Sequence, residues 1–163
     1  MKTDLYFFGT GGKGFEWLVK KGLGRVRVAI QPDLTADVIV THAVAEHQES
    51  GADAGHDVNI NKRIIQAKKI ISYVKKLEAA TNPADLVILG GDLNSQPDDP
   101  AYSVISSMFT DTGKGSEKRE ATYGHPENTF TSDTGAQSTL DYIFVRHQNH
   151  VLLRANQSVS DFK

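Results

Sequence analysis

The hydrophobic and polar positions of this chain follow several different periods, and each period predicts one structural element. Residues 25–30 alternate between two faces, which predicts a strand with one buried side. Residues 31–33 have the composition of a turn. Residues 37–40 then form a short, continuous run of mostly β-branched side chains, which is typical of a buried strand. The two runs and the turn between them predict a β-hairpin.

A helical spacing begins at about Asn59. Apolar residues recur three and four positions apart and lysines occupy the other side, so we predict an amphipathic helix that ends near residues 81–83. Residues 86–89 form another continuous apolar run, which predicts a buried strand that stops at Gly90-Gly91-Asp92. Asp98-Asp99-Pro100 has the composition of a helix start and predicts a second helix.

The remaining segments complete a mixed pattern of strands and helices. Residues 47–57 and 111–138 are polar and predict loops, whereas residues 141–145 and 151–153 predict two further strands. Glycines punctuate the first 24 residues, and no strand long enough to introduce a phosphate-binding loop is expected ahead of Gly9. The pattern predicts an α/β (α+β) protein, in which the hairpin favours antiparallel or mixed sheets.

Composition narrows the class of protein. The chain has 163 residues, no cysteine, and 18 lysines and arginines against 20 aspartates and glutamates, for a formal net charge of −2. The length suits one domain, and the lack of cysteine excludes disulfide scaffolds and cysteine-ligated zinc sites. No apolar run is long enough for a membrane span or a signal-peptide core. The near-neutral charge argues against binding nucleic acid through bulk charge, although it leaves a local basic patch open.

The glycine-rich segment at residues 9–14 superficially resembles a phosphate-binding loop. Lys13 is followed by Gly14, however, where the nucleotide-binding pattern requires serine or threonine. We therefore exclude a nucleotide-binding loop of that type.

The strongest candidate for chemistry is Gly91-Asp92-Leu93-Asn94, directly after a predicted buried strand. Ligands of α/β proteins collect at such strand ends. Asp92 there can hold a hard cation or take a proton from water, and the Asn94 amide can donate to a phosphoryl oxygen. The alternative is an Asx turn, which both residue types also favour.

His42 and Asp141 lie at the ends of two other predicted strands. His42 can donate a proton to a leaving group or stabilise negative charge. Asp141 can orient a histidine. Each has a plainer interpretation, a hydrogen-bonded histidine at a strand end and a solvent-exposed aspartate, and each residue taken singly favours that interpretation.

Taken in order, these pieces resemble the endonuclease/exonuclease/phosphatase superfamily, which has the DNase I-like fold. The matching motifs are Thr41-His42, Gly91-Asp92-Leu93-Asn94, Leu140-Asp141-Tyr142 and, imperfectly, Ser160-Asp161-Phe162. Within that superfamily the chain is most similar to the neutral sphingomyelinases. The segments that carry this closer resemblance are Thr41-His42-Ala43-Val44-Ala45-Glu46, Arg63-Ile64-Ile65-Gln66-Ala67, Asn128-Thr129-Phe130 and Gly12-Lys13-Gly14-Phe15.

The resemblance implies a four-layer α/β sandwich with two mixed sheets and Mg²⁺-dependent hydrolysis of a phosphodiester. It implies that Asp92 binds Mg²⁺ and positions or deprotonates the attacking water. Asn94 would hydrogen-bond the phosphoryl group or the nucleophile, His42 would stabilise the phosphorus centre or protonate the leaving group, and Asp141 would orient the family's C-terminal histidine. The implied substrate is sphingomyelin at a membrane surface, cleaved to ceramide and phosphocholine.

The resemblance also predicts missing parts. The family's early strands supply an asparagine and a metal-binding glutamate that have no match before Gly9, and the family's C-terminal histidine is Phe162 here. We therefore expect residues 1–163 to form an incomplete catalytic domain, impaired or inactive by itself, in an intracellular protein that is cytoplasmic or peripheral to a membrane. The alternatives are a nuclease or another phosphoesterase of the superfamily, and a non-catalytic remnant that binds lipid or protein.

Overall fold

The computed structural model describes residues 3–9, 20–47, 57–115, 121–124 and 137–147. In chain order its elements are β1 (Thr3–Phe7), β2 (Gly22–Gln31), β3 (Leu34–His42), α1 (Ile60–Glu78), β4 (Leu86–Asp92), α2 (Pro100–Ser106), β5 (Thr110–Asp111) and β6 (Asp141–His147). The predicted strand at residues 151–153 and most of the two predicted loops lie outside the described residues.

The six strands form one mixed sheet in the order β1-β2-β3-β4-β6-β5. β2 and β3 pair antiparallel, as the predicted hairpin requires, whereas β3 and β4 pair parallel with α1 in the connection between them. This arrangement agrees with an incomplete α/β sandwich. The second sheet that the resemblance predicts is not among the described residues.

Two strands were not predicted from the sequence. No strand of sufficient length was expected ahead of Gly9, but the five-residue β1 lies there and pairs antiparallel with β2 from Thr3 opposite Val26 to Phe7 opposite Gly22. Leu5 and Phe7 remain exposed in this edge strand, so backbone pairing rather than a buried apolar face defines it. β5 has only two residues, and it forms through pairing with β6.

The core lies between the helices and one face of the sheet. Its largest aliphatic and aromatic members are at most 2% exposed, and they come from the three central strands and both helices: Ile39, Leu89, Tyr142, Phe144, Ile70 and Ile105. Burying each such side chain contributes roughly 1.5–3 kcal/mol. This packing fixes β3, β4 and β6 side by side. The C-terminal ends of β3 and β4 therefore lie next to the start of β6.

Both predicted helices are confirmed. α1 runs from Ile60 to Glu78, and α2 begins at Pro100 with Asp99 as its N-terminal flanking residue. The Asp99 carboxylate accepts a hydrogen bond from the backbone N–H of Gln96 at 2.9 Å rather than capping the helix. Neither described helix has the length and apolar character needed to cross a membrane.

Candidate functional site

Three of the four predicted site residues lie in one row across the sheet. His42 is the register partner of Asp92 in the β3–β4 pair, and Asp92 is the register partner of Asp141 in the β4–β6 pair. Side chains of directly opposed residues lie on the same face of a sheet. Asp92 therefore stands between the other two, and its Oδ2 atom is 3.6 Å from Nε2 of His42.

The surroundings of Asp92 favour its protonated form. Burial raises the pKa of this carboxyl, a hydrogen bond from the Asn94 backbone opposes that effect, and the negative charge of Asp141 raises the pKa further. The positive charges of His42 and Lys21 act in the other direction but do not cancel the rise. A partly buried carboxyl group with a raised pKa and a second carboxylate opposite it is suited to accept a proton or to bind a cation.

Asn94 connects the end of β4 to the segment that follows β3. Its backbone N–H donates to Asp92 Oδ1 at 2.7 Å, which is the Asx turn considered above as an alternative. Its side-chain amide donates to the carbonyl oxygen of Ala43 at 3.0 Å. Asn94 has a φ of 46°, a left-handed conformation that asparagine tolerates better than most residues. The tetrapeptide thus forms a turn and also presents Asp92 and Asn94 at the site.

Lys21 lies beside His42 at the end of this row, and it was not among the site residues predicted from the sequence. It is only 6% exposed, and its Nζ atom lies 3.2 Å from His42 Nε2. It precedes Gly22, which is the register partner of His42 in the β2–β3 hairpin. Counting residues back from the turn at residues 32–33 places Lys21 near His42, so the predicted hairpin was sufficient to find this neighbour of His42.

An open groove with a volume of about 640 Å³ begins at Asp92 and Asn94. Neither His42 nor Asp141 lines it; they lie on the two sides of Asp92. The groove is strongly acidic, because five carboxylates and a single guanidinium contribute to its wall. Its lining residues are Ala45, Glu46, Asp57, Ile60, Arg63, Asp92, Asn94, Gln96, Asp98, Asp99, Tyr123, Ser138 and Leu140.

Tyr123 and its neighbour Thr122 tie this part of the groove wall to the start of β6. Tyr123 and Ser138 exchange two backbone hydrogen bonds, of 3.0 and 3.1 Å. The neighbouring Thr122 hydroxyl accepts hydrogen bonds from the backbone N–H groups of Leu140 and Asp141, each at 3.0 Å. These contacts place an aromatic ring that is 49% exposed on the wall of the acidic groove.

The donor chemistry at Asp92 fits a hard cation. Within the described ranges no group of three histidine, cysteine, aspartate or glutamate side chains is arranged to hold a metal ion. Magnesium, however, is usually bound through one or two carboxylates together with substrate phosphates and water. Asp92, with Asp141 opposite, provides such oxygen ligands beside the groove.

Three of the motifs that carry the family resemblance lie outside the described residues: Gly12-Lys13-Gly14-Phe15, Asn128-Thr129-Phe130 and Ser160-Asp161-Phe162. Arg63 and Gln66, from the remaining motif, are both buried on α1.

The chain matches the Endonuclease/Exonuclease/phosphatase family over residues 7–161. It is 28% identical over 155 residues to a putative neutral sphingomyelinase of Drosophila melanogaster, an alignment that covers 91% of this chain and 32% of that protein. The chain therefore spans about a third of the length of that relative.

Solved structures share the fold at lower identity. The structure of SmcL aligns with a TM-score of 0.73 at 21% identity and covers 95% of this chain and 52% of its own. A variant of beta toxin from Staphylococcus aureus with bound magnesium ions aligns with a TM-score of 0.62 at 22% identity, covering 87% and 47% of the two chains. These similarities support the fold.

Proposed function

Because the chain belongs to the Endonuclease/Exonuclease/phosphatase family, we propose that residues 1–163 belong to a catalytic domain that hydrolyses phosphodiesters with Mg²⁺. The observation that carries the proposal is the row of His42, Asp92 and Asp141 on paired strand ends beside an open groove. Asp92 is central to it, since its raised pKa and its position at the groove suit it both to a cation and to a proton.

Each residue has a role in hydrolysis. Asp92 holds Mg²⁺ and positions or deprotonates the water that attacks phosphorus, while Asn94 hydrogen-bonds the phosphoryl group or that water. His42 stabilises the charge at phosphorus or protonates the leaving oxygen. Asp141 would orient the family's C-terminal histidine, whose position is occupied by Phe162 here, so this role is restored only in Phe162→His. When bound, Mg²⁺ neutralises negative charge that develops on the phosphoryl oxygens.

We assign sphingomyelin at a membrane surface as the substrate, with ceramide and phosphocholine as products. The name of the Drosophila relative supports this assignment. The charge of the groove supports it independently, because its five carboxylates against one guanidinium suit a substrate that carries its own positive charge. Tyr123 adds an aromatic face, which attracts quaternary ammonium groups. A nucleic acid is less favoured, because a polyanion normally requires a basic surface.

The test measures phosphocholine release from sphingomyelin vesicles by the full chain, with and without Mg²⁺. Since the resemblance places the family's histidine at position 162, we expect a low rate that Phe162→His increases. Asp92→Asn reduces the rate by at least about 100-fold, because it removes the central carboxylate. Asp33→Asn, in the exposed β2–β3 turn, is the matched control and leaves the rate unchanged.

Nicked DNA is assayed in parallel. Cleavage of DNA without release of phosphocholine would replace sphingomyelin by the nuclease alternative. Absence of both activities in the wild-type chain and in Phe162→His would favour the non-catalytic alternative, in which the chain binds lipid or protein.

A further inference from the structure

The five residues that follow His42, residues 43–47, have no regular secondary structure, yet hydrogen bonds hold them at almost every position. The Ala43 N–H donates to the Asp92 carbonyl oxygen at 2.9 Å, and the Ala43 carbonyl accepts from the Asn94 side chain at 3.0 Å. This segment, which we call the post-His42 segment, also contributes Ala45 and Glu46 to the groove wall. Its position therefore decides where one side of the groove lies.

Gln66 makes the central contact to this segment. Its Oε1 atom accepts a hydrogen bond of 2.9 Å from the backbone N–H of Val44. Val44 is fully buried and Gln66 is only 5% exposed, so bulk solvent has little access to replace that bond. An unpaired backbone N–H in such surroundings costs about 1–3 kcal/mol, which strongly favours the single arrangement in which the two residues meet.

Residues at the start of α1 hold the rest of the segment. The Asn59 side chain donates to the Ala45 carbonyl oxygen at 2.9 Å. Asp57 Oδ1 accepts from the backbone N–H of His47 at 3.2 Å, and the other carboxylate oxygen pairs with the buried guanidinium of Arg63. Burial opposes ionisation of Asp57, but hydrogen bonds from Asn59, Arg63 and His47 outweigh it and lower the pKa of the carboxyl.

From these contacts we infer that Gln66 is a positioning residue of the catalytic site. It fixes the post-His42 segment and thereby holds His42 beside Asp92 and Glu46 at the groove. The inference rests on the proposed function for its catalytic consequence, and it gives a reason for the spacing of Arg63 and Gln66. Residues three apart share one face of a helix, and here Gln66 contacts the post-His42 segment directly while Arg63 contacts it through Asp57.

The alternative is that Gln66 merely fills the core at the helix start. Gln66→Met and Gln66→Glu separate the two interpretations, since both preserve much of the volume but only glutamate keeps an acceptor for the Val44 N–H. Ile70→Val is the matched control, because it trims the core one turn further along α1, at a residue that is 1% exposed.

Two measurements on the full chain are required. In the first, amide hydrogen exchange by NMR reports the protection of the Val44 N–H. We expect exchange about tenfold faster or more in Gln66→Met, with Gln66→Glu and Ile70→Val close to wild type. In the second, hydrolysis of sphingomyelin vesicles with Mg²⁺ separates kcat from KM. We expect Gln66→Met to lower kcat by about 10- to 100-fold at an unchanged KM, and Gln66→Glu to restore it.

Unchanged Val44 exchange in Gln66→Met would overturn the inference, as would equal losses in Gln66→Met and Ile70→Val. Faster exchange without a fall in kcat in an active chain would overturn it as well. If neither the wild-type chain nor Phe162→His hydrolyses a phosphodiester, the proposed function fails by that result alone, and the exchange measurement still decides whether Gln66 holds the segment.

Discussion

Gly91 offers the sharpest test of how the strands meet at the candidate site. It directly precedes Asp92, its φ is +127°, and it pairs with Thr41 across the parallel β3–β4 ladder. A Cβ atom added at Gly91 would lie 2.0 Å from the Thr41 carbonyl oxygen. Gly90, its neighbour in the same strand, is a natural control, because a Cβ there would meet its nearest atom, the Tyr142 carbonyl oxygen, at 3.7 Å.

The cost of Gly91→Ala follows from these distances. A non-glycine residue at this φ costs about 1–3 kcal/mol in backbone strain. Real Cβ atoms essentially never approach within 3.0 Å, so β3 and β4 must also separate locally, which weakens ladder hydrogen bonds worth about 0.5–1.5 kcal/mol each. We expect Gly91→Ala to lower the free energy of unfolding by about 3–5 kcal/mol. Gly90→Ala should change it by less than about 1 kcal/mol, because its contacts are ordinary.

Urea unfolding followed by far-UV circular dichroism measures the difference. With a denaturant slope of about 2 kcal/mol per molar, a loss of 3 kcal/mol lowers the midpoint by about 1.5 M. Equal midpoints for Gly91→Ala and Gly90→Ala would refute the close approach of β3 and β4, and with it the placement of His42 beside Asp92.

Three further predictions concern charge and hydrogen bonding. Asp37→Asn should lower the free energy of unfolding by about 3–5 kcal/mol, because it leaves Arg25 and Arg27 without their shared buried carboxylate. Burial opposes ionisation of Asp37, but hydrogen bonds from Arg27 and Arg25 outweigh burial and lower the pKa of the carboxyl. The ionised carboxylate therefore stabilises the fold above the unfolded pKa of about 3.9, and this stabilisation is lost as the pH falls through the lower pKa of the folded state. Urea midpoints between pH 2 and pH 7 should accordingly fall less steeply with acid in Asp37→Asn, and an unchanged slope would contradict the ion pairs. Asp141→Asn should lower the pKa of Asp92, because the negative charge of Asp141 raises the pKa of that carboxyl. Carboxyl-carbon NMR without Mg²⁺ measures this pKa, and an unshifted titration would show that the two carboxylates are not adjacent. Tyr142→Phe should lower the free energy of unfolding by about 1–2 kcal/mol, because the Tyr142 hydroxyl lies 2.7 Å from the Ser95 carbonyl oxygen and 2.8 Å from that of Thr139. A melting temperature equal to that of the wild type would count against these contacts.

Hydrophobic periodicity predicted the elements that bury apolar side chains in the core in a regular pattern along the chain. The β2–β3 hairpin, α1, β4 and β6 all have such patterns, and all are confirmed. The start of α2 was predicted instead from the composition of Asp98-Asp99-Pro100, and it is confirmed as well. β1 and β5 escaped prediction for a common reason. The exposed Leu5 and Phe7 give β1 no buried apolar face, and β5 is too short for any period, so pairing with a neighbouring strand is what identifies both.

The sequence by itself determined which residue types stand at the ends of buried strands, because a strand end and the turn after it are local features. Asp92, Asn94 and His42 could be named on that basis. Only the tertiary structure decided that Asp141 is the register partner of Asp92, 49 residues away in the chain, and that Lys21 lies beside His42. Register between distant strands is set by packing of the whole core, and no short window of sequence contains that information.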